Sequence, residues 1–260
     1  MSICILYIII FFIGTIIGSF LNVCIYKIPR NTSYIFPQSH IKAYNEKNRY
    51  YFLIPIIVYL FSMDKFRNCN KRISMLYVFI QIFYGIVFLL LFLTYGITLT
   101  FIKFSILCCF LIVIGAIDFY TTDVYSITTY SGIFIGLVFI AVEFFLGKSI
   151  ITYLFGGLVA GLILLFIIFT TKYIYKREGM GYGDLEICVL IGLYLGSNWG
   201  LIAVIFGLVL GGFVGILLLI SNRKSNLDEM PLGPYLGIAS IIITLWIEPL
   251  TEVYLKFLGF

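Results

Sequence analysis

The stretch SILCCFLIVIGAID, residues Ser105–Asp118, runs through small and apolar residues without a charge and then ends on a carboxylate. About 20 consecutive apolar residues suffice for a helix to cross a bilayer, and the surrounding segment 98–117 has this length. A carboxylate at the edge of the hydrocarbon layer is costly and usually faces a cavity or a partner group. The stretch therefore predicts a transmembrane helix with a functional acid at one end.

The rest of the chain is equally apolar. Hydrophobic residues make up 62% of the sequence, charged residues make up 11%, and the mean hydropathy is +1.11, values that a soluble domain does not reach. We predict an all-α integral membrane protein, polytopic, with about eight transmembrane helices. The predicted spans are 4–26, 75–95, 98–117, 127–147, 149–171, 184–197, 200–220 and 232–250. A shorter apolar run, Tyr50–Met63, suits an interfacial or re-entrant segment.

The basic residues predict an orientation in the membrane. If the long loop after the first span is cytoplasmic, only Lys103, Lys148 and Lys256 of the 17 basic residues lie outside. The positive-inside rule then places the N-terminus outside, in a multi-pass protein of the cell membrane. Basic loops of this kind orient the protein and contact anionic lipid, so we expect the lipid bilayer and not nucleic acid as a partner.

A second unusual acid follows a run of alternating glycines. In GMGYGD the glycines Gly179, Gly181 and Gly183 precede Asp184, which begins the sixth predicted span at the same depth as Asp118. Two carboxylates brought together share a proton, so that one acts as a base and the other as an acid, as in aspartic proteases. Glycines leave the backbone bare, and a substrate strand could bind closely there.

Other interpretations of these acids remain open at this point. Asp184 could cap its helix, Asp118 could snorkel to the interface, and Asp123 is typical of a solvated turn. Interfacial carboxylates in a polytopic protein also suit a transporter or channel. The only histidine, His40, lies in a loop without a nucleophile motif nearby, which argues against a Ser–His–Asp triad.

The ordered motifs resemble those of the type IV prepilin peptidases, a family of Gly-x-Gly-Asp aspartic peptidases. Four segments carry the resemblance, in order: GSFLNVCIYKIPR (Gly18–Arg30), GAIDFYTTDVYS (115–126), GMGYGD (Gly179–Asp184) and MPLGPYLGIAS (Met230–Ser240). The resemblance implies that Asp118 and Asp184 are catalytic and that the glycines Gly179, Gly181 and Gly183 bind substrate. It implies cleavage of prepilins or pseudopilins after a glycine, on the cytoplasmic face, without metal or covalent intermediate.

The resemblance also implies how the substrate is held. The apolar helix of a prepilin would pack against the spans where small residues permit close approach. Four glycines of the seventh predicted span are the expected contacts: Gly207, Gly211, Gly212 and Gly215.

The sequence departs from the family pattern in the first cytoplasmic loop. Two Cys-x-x-Cys pairs are common there, but Ile41, Tyr44 and Phe66 occupy three of the four positions and only Cys69 remains. One thiolate cannot make a four-ligand zinc site, so we expect no zinc. The same loss argues against N-methylation with S-adenosylmethionine, a function associated with this region. In addition, Glu186 stands where the family usually has lysine.

We therefore divide the chain by function. Residues 1–74 would hold the first transmembrane helix and a degenerate zinc or methyltransferase-type loop, and residues 75–260 the membrane-embedded peptidase core. Two rivals are a presenilin-like intramembrane aspartyl protease and an inactive membrane scaffold. The first usually has a Tyr-Asp pair and a Pro-Ala-Leu motif, whereas this chain has Ile117–Asp118 and PLGPYLG.

Overall fold

A computed structural model describes residues 2–30, 75–147, 149–175, 181–221 and 230–257. Within these ranges the regular secondary structure is entirely helical. The seven long helices are α1 (Ser2–Lys27), α2 (Met75–Tyr95), α3 (Leu99–Thr121), α4 (Ser126–Phe145), α5 (Ile151–Tyr175), α6 (Tyr182–Ile220) and α7 (Gly233–Phe257). His40, Cys69, Gly179 and the run Tyr50–Met63 lie outside the described residues.

The helices confirm the prediction of an all-α polytopic membrane protein. Six of them, α1 to α6, are long and apolar enough to cross a membrane, and α7 holds a shorter apolar segment, Gly233–Ile247. The predictions of about eight spans and of an external N-terminus stay predictions.

Helix α6 is interrupted at Gly196. This residue has φ 80° and ψ −177°, a backbone conformation that only glycine adopts readily. A Cβ placed on Gly200 would lie 2.9 Å from the Cα atom of Gly192, although eight residues of a straight helix rise about 12 Å. The chain therefore folds back at Gly196, and the two limbs, 182–195 and 197–220, correspond to the sixth and seventh predicted spans.

The described residues form two compact units, Met1–Leu93 and Thr94–Phe260. In the first unit, α1 and α2 pack closely through glycine: a Cβ on Gly18 would lie 2.9 Å from the Cα atom of Gln81. The side chain of Asn22 donates a 2.9 Å hydrogen bond to the backbone carbonyl of Tyr77. The division into 1–74 and 75–260 concerns function rather than packing and stays a prediction.

In the second unit, glycines bring helices into backbone contact. A Cβ on Gly156 of α5 would clash with the carbonyl carbon of Gly196. In the second limb of α6, Gly207 contacts the backbone of Leu236, and Gly211 contacts Leu232. The expectation that Gly207 and Gly211 receive a substrate helix is therefore wrong, because α7 and Leu232 just before it already occupy their faces. A Cβ on Gly212, in contrast, would have no described atom within 4 Å.

A buried ion pair joins α3 and α4. The Lys103 ammonium lies 3.0 Å from the Glu143 carboxylate, and both side chains are only 2% exposed. The ammonium also lies 3.6 Å from the ring centroid of Tyr153 on α5. The position of Glu143 near the end of its span suggests contact with water, but the structure places it in the interior with a cation.

Candidate active site

Asp118 lies in the last turn of α3 and is 3% exposed. The helix ends because Thr122 adopts a left-handed conformation, with φ 55°, and its N–H donates a 2.8 Å hydrogen bond to the Asp118 carbonyl. The side chain of Asp118 is therefore fixed at a defined helix end and points into the protein, not out to the interface as a snorkelling acid would.

The first turn of α7 binds the Asp118 carboxyl. The backbone N–H of Gly233 donates a 2.7 Å hydrogen bond to Oδ2 of Asp118. Unpaired N–H groups at a helix N-terminus stabilise negative charge on an acceptor. One turn before Asp118, Gly115 allows this approach, since a Cβ there would lie 3.2 Å from the Cα atom of Pro234.

The sequence did not single out Gly233 as a site residue. The signal for it was the Leu-Gly-Pro-Tyr sequence that begins at Leu232, because a Gly-Pro pair after a polar loop is typical of a helix start. Nothing in the local sequence indicates that this helix start contacts Asp118, which is 115 residues away.

Asp184 lies in the first turn of α6 and is partly buried. The N-cap residue of this helix is Gly181, and the Asp184 N–H donates a 3.2 Å hydrogen bond to the Gly181 carbonyl. The carboxyl reaches back to interact with the backbone N–H of Gly181. Asp184 thus helps to start the helix as in a capping box, without being the N-cap residue itself.

The two aspartates interact through their charges. The Asp118 carboxylate is near enough to Asp184 for their charges to interact, although the residues come from α3 and α6. Burial strengthens this interaction because water screens it less. Asp123, in contrast, is exposed in the loop between α3 and α4.

The glycines before Asp184 differ in their surroundings. Gly181 is exposed, and a Cβ on it would meet nothing closer than 3.8 Å. A Cβ on Gly183 would lie only 2.5 Å from the Cβ atom of Val124, in the loop that follows Asp118. Gly183 thus lets the start of α6 pack against that loop. Substrate binding by Gly179, Gly181 and Gly183 stays a prediction, and Gly179 lies outside the described residues.

Glu186 does not face the aspartates. Its carboxylate accepts hydrogen bonds from Ser126, at 3.3 Å, and from Thr129. Both hydroxyls belong to the first turn of α4, so Glu186 ties the start of α6 to the start of α4.

The described residues contain no cluster of three or more His, Cys, Asp or Glu side chains that could hold a metal ion. The loop that carries Cys69 is outside the described residues. The absence of zinc and the loss of methylation therefore stay predictions.

Known proteins resemble the chain over almost its full length. The family model for the bacterial peptidase A24 N-terminal domain matches residues 12–95, and the model for the type IV leader peptidase family matches residues 105–216, which include both aspartates.

Among relatives, a prepilin leader peptidase/N-methyltransferase of Pseudomonas putida is 25% identical over 271 residues, which cover 95% of this chain and 93% of the relative. One of Bacillus subtilis is 25% identical over 250 residues, which cover 95% and 97%. One of Myxococcus xanthus is 27% identical over 229 residues, which cover 86% and 68%. No solved structure gives a significant match.

Proposed function

The chain belongs to the type IV leader peptidase family, and we propose that it is a membrane aspartic endopeptidase that removes the leader peptide from prepilins or pseudopilins. The relatives named prepilin leader peptidase/N-methyltransferase support leader cleavage as the reaction. The aspartic mechanism, cleavage after a glycine and a cytoplasmic active site are our further proposals.

The pairing of Asp118 and Asp184 is the observation that carries the mechanism. The two side chains come from distant parts of the sequence, interact through their charges, and lie in a partly buried site at the ends of apolar helices. Such a pair shares a proton and titrates as a unit. That is the arrangement needed to activate water without a metal ion.

In the proposed reaction, one carboxylate takes a proton from water as the water oxygen attacks the scissile carbonyl carbon. A tetrahedral intermediate forms, and the other carboxyl then donates its proton to the amide nitrogen as the C–N bond breaks. The products are a free carboxyl end on the leader and a free amine on the mature protein. No covalent enzyme intermediate forms.

The exposed backbone at Gly181 supports binding of the substrate strand beside Asp184. An extended chain can pair with bare backbone, and a glycine before the scissile bond would keep that approach free of side chains. The basic residues in the loops at this end of the helices support a cytoplasmic location for the site.

The zinc site associated with N-methylation in the family does not fit the residues of this chain. A zinc site requires four ligands, whereas only Cys69 remains of the four cysteine positions in the first loop. We therefore propose no step that uses zinc, and none that uses S-adenosylmethionine.

A cleavage assay tests the proposal. The protein is co-expressed with candidate prepilins and pseudopilins, and loss of the leader is followed by gel shift and mass spectrometry. Wild type should cleave, Asp118→Asn and Asp184→Asn should not, and the exposed Asp123→Asn should cleave like wild type. Cleavage by both of the first two variants would refute the aspartic mechanism.

The same product reports on methylation. A methyl group adds about 14 Da to the new N-terminus, and we expect the unmethylated mass because the zinc ligands are missing. If wild type cleaves none of several prepilins and pseudopilins, the peptidase proposal itself fails.

A further inference from the structure

Glu186 lies in a groove between α6 and α4, on a different side of α6 from Asp184. Glu186 is on α6, two residues after Asp184, and points the other way round the helix, since two residues turn an α-helix by about 200°. Its carboxylate accepts hydrogen bonds from the hydroxyls of Ser126 and Thr129 on α4. Two donors fix its position more tightly than a surface carboxylate would be held.

The groove has a volume of about 370 Å³ and a mixed lining. Its lining residues are Tyr130, Ile133, Tyr182, Leu185, Glu186 and Val189. The two tyrosines are exposed, at 59% and 63%, and the remaining uncharged residues are aliphatic. The groove thus combines two aromatic side chains, an aliphatic wall and a single negative charge.

This combination suits one kind of ligand group. A carboxylate offers about four acceptor positions, so the two hydroxyl donors leave room for another donor. In the part of the chain that the structure describes, Glu186 makes no ion pair. A lysine or arginine side chain would place its stem on the aliphatic wall, its charge on Glu186, and the same charge near the tyrosine rings.

The groove is also in reach of the reaction centre. Asp184 and Glu186 differ by about 3 Å along the helix axis but lie on different sides of a helix about 10–12 Å wide, a distance that about three to four extended substrate residues of 3.3–3.6 Å each would span. A side chain only a few residues from the scissile bond can therefore reach the groove while the bond lies at Asp184.

We propose that this groove is a subsite for a lysine or arginine side chain of the substrate, within a few residues of the cleaved bond, and that Glu186 determines this specificity. The inference rests on the proposed peptidase function. It makes the Glu186 carboxylate the recognition element for a cation.

The test measures coupling between enzyme and substrate charges. Each basic residue near the cleaved bond of a cleaved prepilin is changed to glutamine in turn, and initial rates are measured with wild type and Glu186→Gln. We expect Glu186→Gln to lower kcat/KM about tenfold on the unchanged substrate, mainly through KM, because a charged hydrogen bond is lost from ground-state binding. On one of the neutralised substrates, wild type and Glu186→Gln should have equal kcat/KM.

Charge reversal gives a second, independent arm. Glu186→Lys should cleave the unchanged substrate poorly and should recover when that one basic residue is replaced by glutamate. Asp123→Asn is the matched control, because it removes an exposed carboxylate from the neighbouring loop without touching the groove. The scan of substrate residues can be carried out with the wild-type enzyme alone. A folding defect in a Glu186 variant therefore does not prevent the test.

Several outcomes overturn the proposal. Equal rates for wild type and Glu186→Gln on every substrate would do so, as would an equal loss on every substrate. A loss that depends on the phosphatidylethanolamine content of the vesicles, and not on substrate charge, would assign the groove to a lipid amine instead. If Asp118-dependent cleavage persists in these cases, the subsite fails and the peptidase proposal stands, whereas absence of any cleavage by wild type defeats both.

Discussion

Replacing Gly183 with alanine should damage the active site through a single contact. The added Cβ would lie 2.5 Å from the Cβ atom of Val124, with the two methyl carbons of that valine at 3.0 and 3.2 Å. Both Cβ atoms are fixed to the backbone, so rotation of a side chain cannot relieve the clash. The start of α6 and the loop after Asp118 must move apart.

The size of the movement follows from the distances. Ordinary van der Waals contact begins near 3.4 Å, so the two elements must separate by the difference from 2.5 Å, about 0.9 Å. Asp184 is the next residue on α6, and Asp118 lies in the last turn of α3, just before the loop that holds Val124. The separation of these two elements therefore changes the distance between the two aspartates. A misplacement of about 1 Å at a reaction centre can cost about 100-fold in rate, and we expect a loss of that order.

The assay is the initial rate of leader cleavage by the purified protein in lipid vesicles, at matched protein levels. Ser221→Ala is the control, since it introduces alanine at the exposed C-cap of the same helix. Alanine raises intrinsic helix stability by about 1 kcal/mol over glycine, so a loss at Gly183 cannot come from helix propensity.

A second-site change distinguishes the clash from a general defect. Val124→Gly removes the facing Cβ, and Gly183→Ala combined with Val124→Gly should recover most of the lost rate. Near wild-type cleavage by Gly183→Ala alone would refute the reasoning, because the packing of Gly183 on Val124 would then have no part in positioning Asp184.

Three further predictions concern other contacts. Gly233→Ala would bring a Cβ within 2.7 Å of Oδ2 of Asp118, so the cleavage rate should fall about tenfold or more with little change in protein level. Lys103→Met should lower stability in a thermal unfolding assay by about 3–5 kcal/mol because it removes the buried cation that pairs with the Glu143 carboxylate, whereas Lys103→Met with Glu143→Leu should recover most of that loss. Gly156→Ala would clash with the backbone of α6 at Gly196 and should lower the midpoint of thermal unfolding, with an overpacking cost of about 1–3 kcal/mol.

The sequence predicts the helical class and the two aspartates for a physical reason. An acid that directly follows or begins a long apolar run stands out against its surroundings, and Asp118 and Asp184 both do so. The fold-back near Gly196 was also predictable as two adjacent spans, because a 39-residue helix is longer than a bilayer requires.

The contacts that build the site could not be predicted in this way. Local periodicity carries no information about which distant backbone a glycine meets, so the packing of Gly183 on Val124 and the hydrogen bond from Gly233 to Asp118 appear only in three dimensions. Likewise, Lys103 and Glu143 are 40 residues apart, and each is typical of a charged residue near a helix end.

The central claim is that Asp118 and Asp184 form one catalytic unit, and the most direct measurement compares single and double substitutions. Initial cleavage rates are measured for Asp118→Asn, Asp184→Asn and the variant with both changes. Residues that act as a unit are strongly non-additive, so each single change should remove nearly all activity and the double variant should be no slower than either. Independent losses that multiply in the double variant, or near wild-type cleavage by either single variant, would contradict the account.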